Sequence, residues 1–162
     1  MTCNVVSVKR LQDELRQRAP FASPAQEAVV ALMRTTDVVR RYLARVVDPH
    51  GITLQQYNVL RILRGGGADG VPTLEVAARM IEQTPGITRL LDRLEAKGLV
   101  KRERCPHDRR QHLCWITAGG QALLRKLDGP MLAASDAGLK GLSAHDRLAI
   151  IRLLDAVRAA HD

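Results

Sequence analysis

Apolar positions in this chain recur mostly at the spacing of an α-helix. From Pro24 to Val47 they repeat every three or four residues, which predicts one long helix that ends before Gly51. A second helix is predicted to begin after Thr53, because Gln56 three residues later completes a capping box. The first third of the chain is therefore predicted to be helical.

The same periodicity returns in the last third of the chain. Thr117 is expected to cap a helix that Pro130 kinks or interrupts. Ser143, followed three residues later by Asp146, is expected to cap the final helix. Long helices are therefore predicted at both ends of the chain.

Between these ends the pattern changes to shorter elements. Thr73 is expected to cap one short helix, and Thr84 to cap a second one that has Pro85 in its first turn. Two short extended runs, 99–104 and 112–116, flank a polar turn and predict a β-hairpin. Two short helices followed by a hairpin are the order of a winged helix-turn-helix, so the predicted fold is mainly α with a small β-wing.

Composition supports a compact helical protein. Hydrophobic residues make up 46% of the chain, enough for a core, whereas aromatic residues make up 2%, few for a β-sandwich or for stacking on bases. No apolar run approaches the length of a membrane span, and the first residues lack the pattern of a signal peptide. Three cysteines are too few for a disulfide framework, so we expect a cytoplasmic protein away from membranes.

The charge favours a polyanionic partner. The formal net charge is +8 and the sequence pI is about 10.1. Basic residues are densest at 101–110, within the predicted hairpin. Double-stranded DNA is therefore the first candidate partner.

A helix-turn-helix contacts DNA through the exposed N-terminal end of its second helix, which enters the major groove. An arginine at a hairpin tip can enter the minor groove, where the potential is most negative. The candidate DNA contacts are Gln83, Thr84, Gly86, Thr88, Arg89 and Arg93 on the helix, and Arg104, Asp108, Arg109 and Arg110 in the hairpin.

The residues of this region resemble a known family. The segment 84–100, TPGITRLLDRLEAKGLV, resembles the recognition helix of the MarR family of bacterial transcription regulators. The run Asp108-Arg109-Arg110 and the later segment 115–120 resemble the wing signature and the helix start of that family. Ile116 departs from the leucine that is usual at its position, with no change in volume.

This resemblance implies a homodimeric repressor that binds a pseudo-palindromic operator and is released by a small aromatic or apolar effector. It also implies three parts: N-terminal dimerisation helices in 1–49, a winged DNA-binding lobe in 50–116, and C-terminal dimerisation helices in 117–162. Arg110 would enter the minor groove and Asp108 would orient the wing. The positions of Thr84, Thr88 and Arg89 would lie at the major groove.

Two other functions are compatible with parts of the sequence. If the hairpin turns between Arg109 and Arg110, one strand face gathers four side chains that suit zinc or a redox pair. These side chains are Cys105 opposite Cys114 and His107 opposite His112. The other alternative is a winged-helix protein-interaction module without DNA binding.

The sequence carries no sign of an enzyme. The glycine run at 65–70 lacks the lysine and hydroxyl residue of a phosphate loop, and no strand is predicted before it. No catalytic set of serine, cysteine, histidine and carboxylate residues is recognisable. We therefore expect no catalytic activity and no cofactor.

Overall fold

The structure of the protein is a computed structural model, and it describes residues 10–82, 86–105, 108 and 111–161. The chain forms two compact units, 1–41 and 42–162, and their boundary falls within a helix. The elements in chain order are α1 (Leu11–Glu14), α2 (Pro24–Val47), α3 (Leu54–Gly65), β1 (Val71–Pro72), α4 (Thr73–Ala78), α5 (Ile87–Ala96), β2 (Val100–Arg104), β3 (His112–Ile116), α6 (Ala118–Gly138) and α7 (Ala144–Ala159). A mainly helical fold with a small sheet is thus confirmed.

The first unit contains α1 and most of α2. Within this unit, Arg34 on α2 forms an ion pair of 2.7 Å with Glu14 on α1. The side chains of Ser23 and Gln26 supply the hydrogen bonds at the start of α2. The predicted first and last residues of this helix, Pro24 and Val47, are both confirmed.

The second unit is organised around a continuous aliphatic core. Helices α3, α5 and α6 pack with the sheet, and they bury leucine and valine side chains almost completely. The largest fully buried side chains are Leu60, Leu63, Leu91, Leu94, Leu124, Leu127, Val47, Val59, Val76 and Cys114. Burial of this apolar surface is the main force that holds the unit together.

Three predicted helix caps are confirmed. The Thr53 hydroxyl accepts a hydrogen bond from the Gln56 backbone N–H at 3.2 Å, and the amide oxygen of Gln56 accepts one from the Thr53 N–H at 3.1 Å. Ser143 and Asp146 form the same reciprocal pair at the start of α7. The Thr117 hydroxyl accepts from the N–H of residue 120 at 3.1 Å at the start of α6.

The sheet has three strands in the order β1-β3-β2, and all its pairs are antiparallel. The two strands of the predicted hairpin are confirmed as β2 and β3. The edge strand β1 was not predicted, because two residues are too few for a periodic pattern. Val71 pairs with Cys114, so β1 joins the beginning of α4 to the centre of the sheet.

The expected cap at Thr73 is wrong, and of the two effects expected of Pro130, a kink or an interruption, the interruption does not occur. Thr73 does not cap α4: it is the first helical residue, Pro72 precedes it, and its hydroxyl donates to the His112 carbonyl oxygen at 3.2 Å. Pro130 does not interrupt α6, which runs through it. Side chains on both sides of this proline, Leu127 and Ala134, are buried, and their packing offsets the lost backbone hydrogen bond.

The start of α5 also differs from the prediction. The helix begins at Ile87, and Gly86 before it has a φ of +122°, which a side chain would strain. The predicted cap, Thr84, and the proline after it lie outside the described residues. Among the helices that the structure describes, none is long and apolar enough to cross a membrane.

Candidate nucleic-acid interface

Helix α5 presents three different faces. One face is buried and consists of Leu90, Leu91 and Leu94. At 100° per residue, the side chains of residues 88, 92 and 95 share a second face, and those of 89 and 93 share a third. The apolar face fixes α5 on the core, and the two polar faces remain for other contacts.

The face of residues 88, 92 and 95 is directed towards β2. Arg102 on β2 donates from Nε to Glu95 Oε2 at 3.0 Å, and from Nη2 to Asp92 Oδ1 at 2.6 Å. The backbone N–H of Arg102 also donates to Glu95 Oε1 at 3.1 Å. Hydrogen bonding to Glu95 raises the pKa of Arg102 above its usual value. We call these three residues the α5–β2 clamp.

The third face of α5 carries unpaired positive charge. Arg89 and Arg93 are exposed and stand one turn apart. Neither forms an ion pair with any residue in the described part of the chain. Two free guanidinium groups on one helix face suit the phosphates or base edges of DNA.

The wing strand β2 alternates between internal and external contacts. Arg102 turns towards α5, as described above, and Lys101 is paired with Glu103 at 2.5 Å on the same strand. Arg104 at the end of β2 is exposed and has no ion-pair partner among the described residues. Among the basic residues of β2, Arg104 is therefore the one without a carboxylate partner in the described part of the chain.

Hydrogen bonds between its own residues stabilise the loop between β2 and β3. The N–H of Gln111 donates to the backbone carbonyl of Asp108 at 2.9 Å, and its side-chain amide donates to Asp108 Oδ2 at 3.0 Å. The N–H of Cys105 donates to the carbonyl oxygen of Gln111 at 2.9 Å and closes the loop. Asp108 is thus held by the loop itself, close to its centre.

The predicted pairing of the two wing cysteines is wrong. Cys114 lies opposite Arg102 and His112 lies opposite Arg104, so the strands are shifted by three residues from the expected register. The centre of the turn falls near Asp108 rather than between 109 and 110. A hairpin register depends on the loop length, which the sequence pattern left open.

The two cysteines consequently have separate surroundings. Cys114 is fully buried in β3, and its sulfur lies 3.6 Å from the hydroxyl oxygen of Thr73. Burial raises the pKa of the Cys114 thiol. Cys105 is partly exposed, and His107 lies outside the described residues. Within the ranges that the structure describes, no three His, Cys, Asp or Glu side chains form a group that could hold a metal.

A cleft of about 640 Å³ opens between α4, α5 and the wing. Pro72 and Leu74 form part of its apolar wall, while Thr88, Arg102 and His112 contribute polar groups. Thr88 therefore lies on the face of α5 that is directed towards the wing, and not on the face of Arg89. An occupant of this cleft would contact both the helix and the hairpin.

The base of the wing is anchored by its only tryptophan. The indole N–H of Trp115 donates to the Ala68 carbonyl oxygen at 2.9 Å. A Cβ on Gly70 would lie 2.7 Å from the same nitrogen, and Gly70 has a φ of +76°. Gly70 at the end of the glycine run therefore leaves room for the indole ring of Trp115.

The structure brings together part of the predicted site. Gly86, Thr88, Arg89 and Arg93 lie in or directly before α5, and Arg104 and Asp108 lie in the hairpin, as expected. Four of the predicted DNA contacts lie outside the described residues, and their roles stay predictions. These are Gln83, Thr84, Arg109 and Arg110.

Sequence reasoning missed the α5–β2 clamp. The spacing of Asp92 and Glu95 places both carboxylates on one helix face, and the sequence alone could have predicted this. The sequence could not predict their partner, because only the position of β2 in the structure shows that Arg102 lies beside that face.

The family model and the solved structures that this chain resembles all belong to one family. Residues 50–111 match the sequence model of the MarR family. A MarR transcription factor from Planctomyces limnophilus is 36% identical, with a TM-score of 0.66 over 85% of this chain and 99% of that one. Sco3205 from Streptomyces coelicolor, solved in complex with DNA, shares the fold at 21% identity, with a TM-score of 0.76 over 88% of this chain and 92% of that one.

A curated relative is similar over a shorter region. The homoprotocatechuate degradative operon repressor of Escherichia coli is 30% identical over 97 residues, which are 60% of this chain and 64% of the relative. The chain spans between about half and two thirds of the length of the curated relatives it matches. These relatives are transcriptional regulators.

Proposed function

Because this chain belongs to the MarR family of transcriptional regulators, we propose that it is a sequence-specific DNA-binding protein that represses transcription as a homodimer. The homodimer binds a pseudo-palindromic operator, and a small aromatic or apolar effector releases it. The N-terminal end of α5 enters the major groove, and the tip of the hairpin enters the minor groove.

The observation that carries this proposal is the unpaired positive charge on one side of α5 and at the end of β2. Arg89, Arg93 and Arg104 are exposed and have no ion-pair partner among the described residues, whereas Arg102 and Lys101 are neutralised. Free guanidinium groups on two adjacent elements suit the phosphates that line two neighbouring grooves.

Dimerisation is supported by apolar surface that the single chain leaves uncovered. On α7, Leu148 is 59% exposed and Leu153 is 66% exposed. On α2, Val29 and Met33 are also exposed, at 58% and 69%. Helices with such uncovered apolar stripes are stabilised by a partner, and a second copy of the chain is the partner we propose.

This arrangement assigns roles along the chain. Residues 1–49 and 117–162 form the dimerisation helices, and residues 50–116 form the DNA-binding lobe. The name of the E. coli relative, an operon repressor, supports repression. The cleft beside Thr88 and Arg102 is a candidate site for the effector, since an occupant there would contact both the helix and the wing.

Selection of DNA from a random pool of duplexes tests the function directly. We expect the purified protein to enrich one two-fold symmetric sequence with half-sites about 34–36 Å apart. Binding to that duplex should weaken steeply between roughly 50 and 200 mM salt, because each phosphate contact releases counterions. Absence of any enriched sequence, or binding that is insensitive to salt, would contradict the proposal.

Substitution of single arginines tests the two contact elements. Arg89→Ala and Arg110→Ala are each expected to weaken binding, with a salt slope lower by about 1 for each lost phosphate contact. Arg61→Ala removes the same charge from an exposed position on α3, which is neither a predicted DNA contact nor in a proposed dimerisation helix, and is the matched control. Full-strength binding by the Arg110 variant would refute the role of the wing tip.

A further inference from the structure

The α5–β2 clamp links the two elements that the proposed function places in DNA. Arg102 bonds through its side chain to both Asp92 and Glu95, and through its backbone N–H to Glu95 again. The Arg102 side chain is 19% exposed, whereas the side chains of Glu95 and Asp92 are 40% and 54% exposed, so the contacts to Glu95 are partly buried and the contact to Asp92 faces solvent. Charge-assisted hydrogen bonds of this kind are stronger and more directional than neutral ones.

The clamp also provides a hydrogen-bond partner for the edge of the sheet. In the strand order β1-β3-β2, the strand β2 is an edge, and β3 is its only neighbour in the described sheet. The Arg102 N–H points away from β3 and would otherwise be unpaired within the protein. Glu95 accepts this hydrogen bond and so connects the edge of the wing directly to the recognition helix.

We propose that Glu95 and Asp92 are positioning residues, which act through Arg102 to set the distance and angle between α5 and the wing. This inference rests on the proposed function, since it assumes that both elements contact the same DNA. Two elements held in one relative position lose less freedom on binding than two elements that move independently. The clamp therefore prepares the lobe to meet two grooves at once.

Glu95 could affect DNA affinity through its charge or by positioning the wing, and these two roles predict changes of opposite sign when Glu95 is removed. Glu95 carries a negative charge beside the proposed DNA surface, so its removal should tighten binding if only net charge matters. If Glu95 positions the wing, its removal should weaken binding despite the gain in positive charge. The sign of the effect distinguishes the two roles.

The chain offers a matched control on the same strand. Glu103 is also an acidic residue, but its ion-pair partner is Lys101 within β2, so it does not join the wing to α5. Glu103→Gln removes the same charge as Glu95→Gln from a nearby position. Glu95→Asp keeps the charge but shortens the side chain by one methylene group.

The experiment measures affinity for the duplex that the wild-type protein enriches from a random pool. We expect Glu95→Gln and Glu95→Asp to weaken binding by about ten-fold, equivalent to about 1.4 kcal/mol, while Glu103→Gln binds as well as the wild type or better. In footprints, the Glu95 variants should lose protection of the minor groove before that of the major groove. Amide hydrogen exchange at Arg102 should be slow in the wild type and faster in Glu95→Ala, in DNA-free protein.

Each outcome decides the question. If both Glu95→Gln and Glu103→Gln tighten binding alike, or if the Arg102 amide exchanges rapidly in the wild type, the positioning role is wrong. If the wild-type protein enriches no duplex, the proposed function itself is overturned. The exchange measurement then still shows whether the clamp forms, so the two failures are distinguishable.

Discussion

Trp115 donates its indole N–H to the carbonyl oxygen of Ala68, at a distance of 2.9 Å, and so ties the last strand of the wing to a loop 47 residues earlier. Gly70 lies against the same indole ring with a φ of +76°. This contact requires glycine both for the backbone conformation and for the space that the ring occupies.

Gly70→Ala is expected to destabilise the protein by about 2–4 kcal/mol, through a left-handed backbone and a clash with the ring. Gly67→Ala is the matched control, since Gly67 has a φ of +69° but nothing within 4 Å of an added Cβ. Urea unfolding followed by the fluorescence of the single tryptophan measures both. Equal destabilisation by the two variants would mean that the contact with Trp115 contributes nothing.

Thr117 joins the end of α5 to the start of α6. Its hydroxyl donates to the Gly98 carbonyl oxygen at 2.7 Å and accepts from the Gly120 N–H at 3.1 Å. Thr117→Ala should therefore lower the free energy of unfolding by about 1–2 kcal/mol, whereas Thr117→Ser keeps both hydrogen bonds and should retain most of it. A serine variant as unstable as the alanine variant would contradict this role of the hydroxyl.

The buried thiol of Cys114 should react slowly. Burial raises its pKa, so less of the reactive thiolate is present at neutral pH, and reagents reach it only when the structure opens. In a Cys3→Ser background, we expect iodoacetamide to modify Cys105 at least about ten-fold faster than Cys114. Mass spectrometry of timed samples measures both rates, and equal rates in the folded protein would show that Cys114 is accessible.

The ion pair between Arg64 and Asp128 should make a small, pH-dependent contribution to stability. The hydrogen bond from Arg64 lowers the pKa of Asp128, so the folded protein holds this proton less tightly than the unfolded chain. The contribution is therefore complete above the ordinary pKa of about 3.9 and is lost as the pH falls through the lower folded value. Both side chains are more than a third exposed, so the contribution stays below about 1 kcal/mol.

Urea unfolding of the wild type and of Asp128→Asn near pH 6 and near pH 3 measures this contribution. The difference between the two proteins should be present at the higher pH and should shrink at the lower one. Arg64→Met removes the partner and should abolish the pH dependence of the difference. A difference that stays constant with pH would exclude the ion pair as its source.

Local signals in the sequence predicted local features well. The caps at Thr53, Thr117 and Ser143 depend on residues three positions apart, and all three are present in the structure. The order of two short helices and a hairpin was also predicted from the sequence, because each element has its own periodicity. These features were predictable because nearby residues determine them.

Features that depend on distant contacts were not predictable in this way. The register that places Cys114 opposite Arg102 depends on the length of the wing loop, and the strand β1 exists only through its pairing with β3. Pro130 remains within α6 because packing on both sides of it offsets a lost hydrogen bond. The α5–β2 clamp became visible only once these distant relationships were known.

The two edges of the small sheet have a consequence for how the protein behaves in a crowded cell. An exposed strand edge is a template on which strands of other molecules can assemble into aggregates. One edge, β1, ends in Pro72, which has no N–H to offer, and on the other edge the Arg102 N–H is already bonded to Glu95. Both features remove a free backbone donor from an edge of the sheet and so lower the tendency of the wing to pair with strands of other molecules.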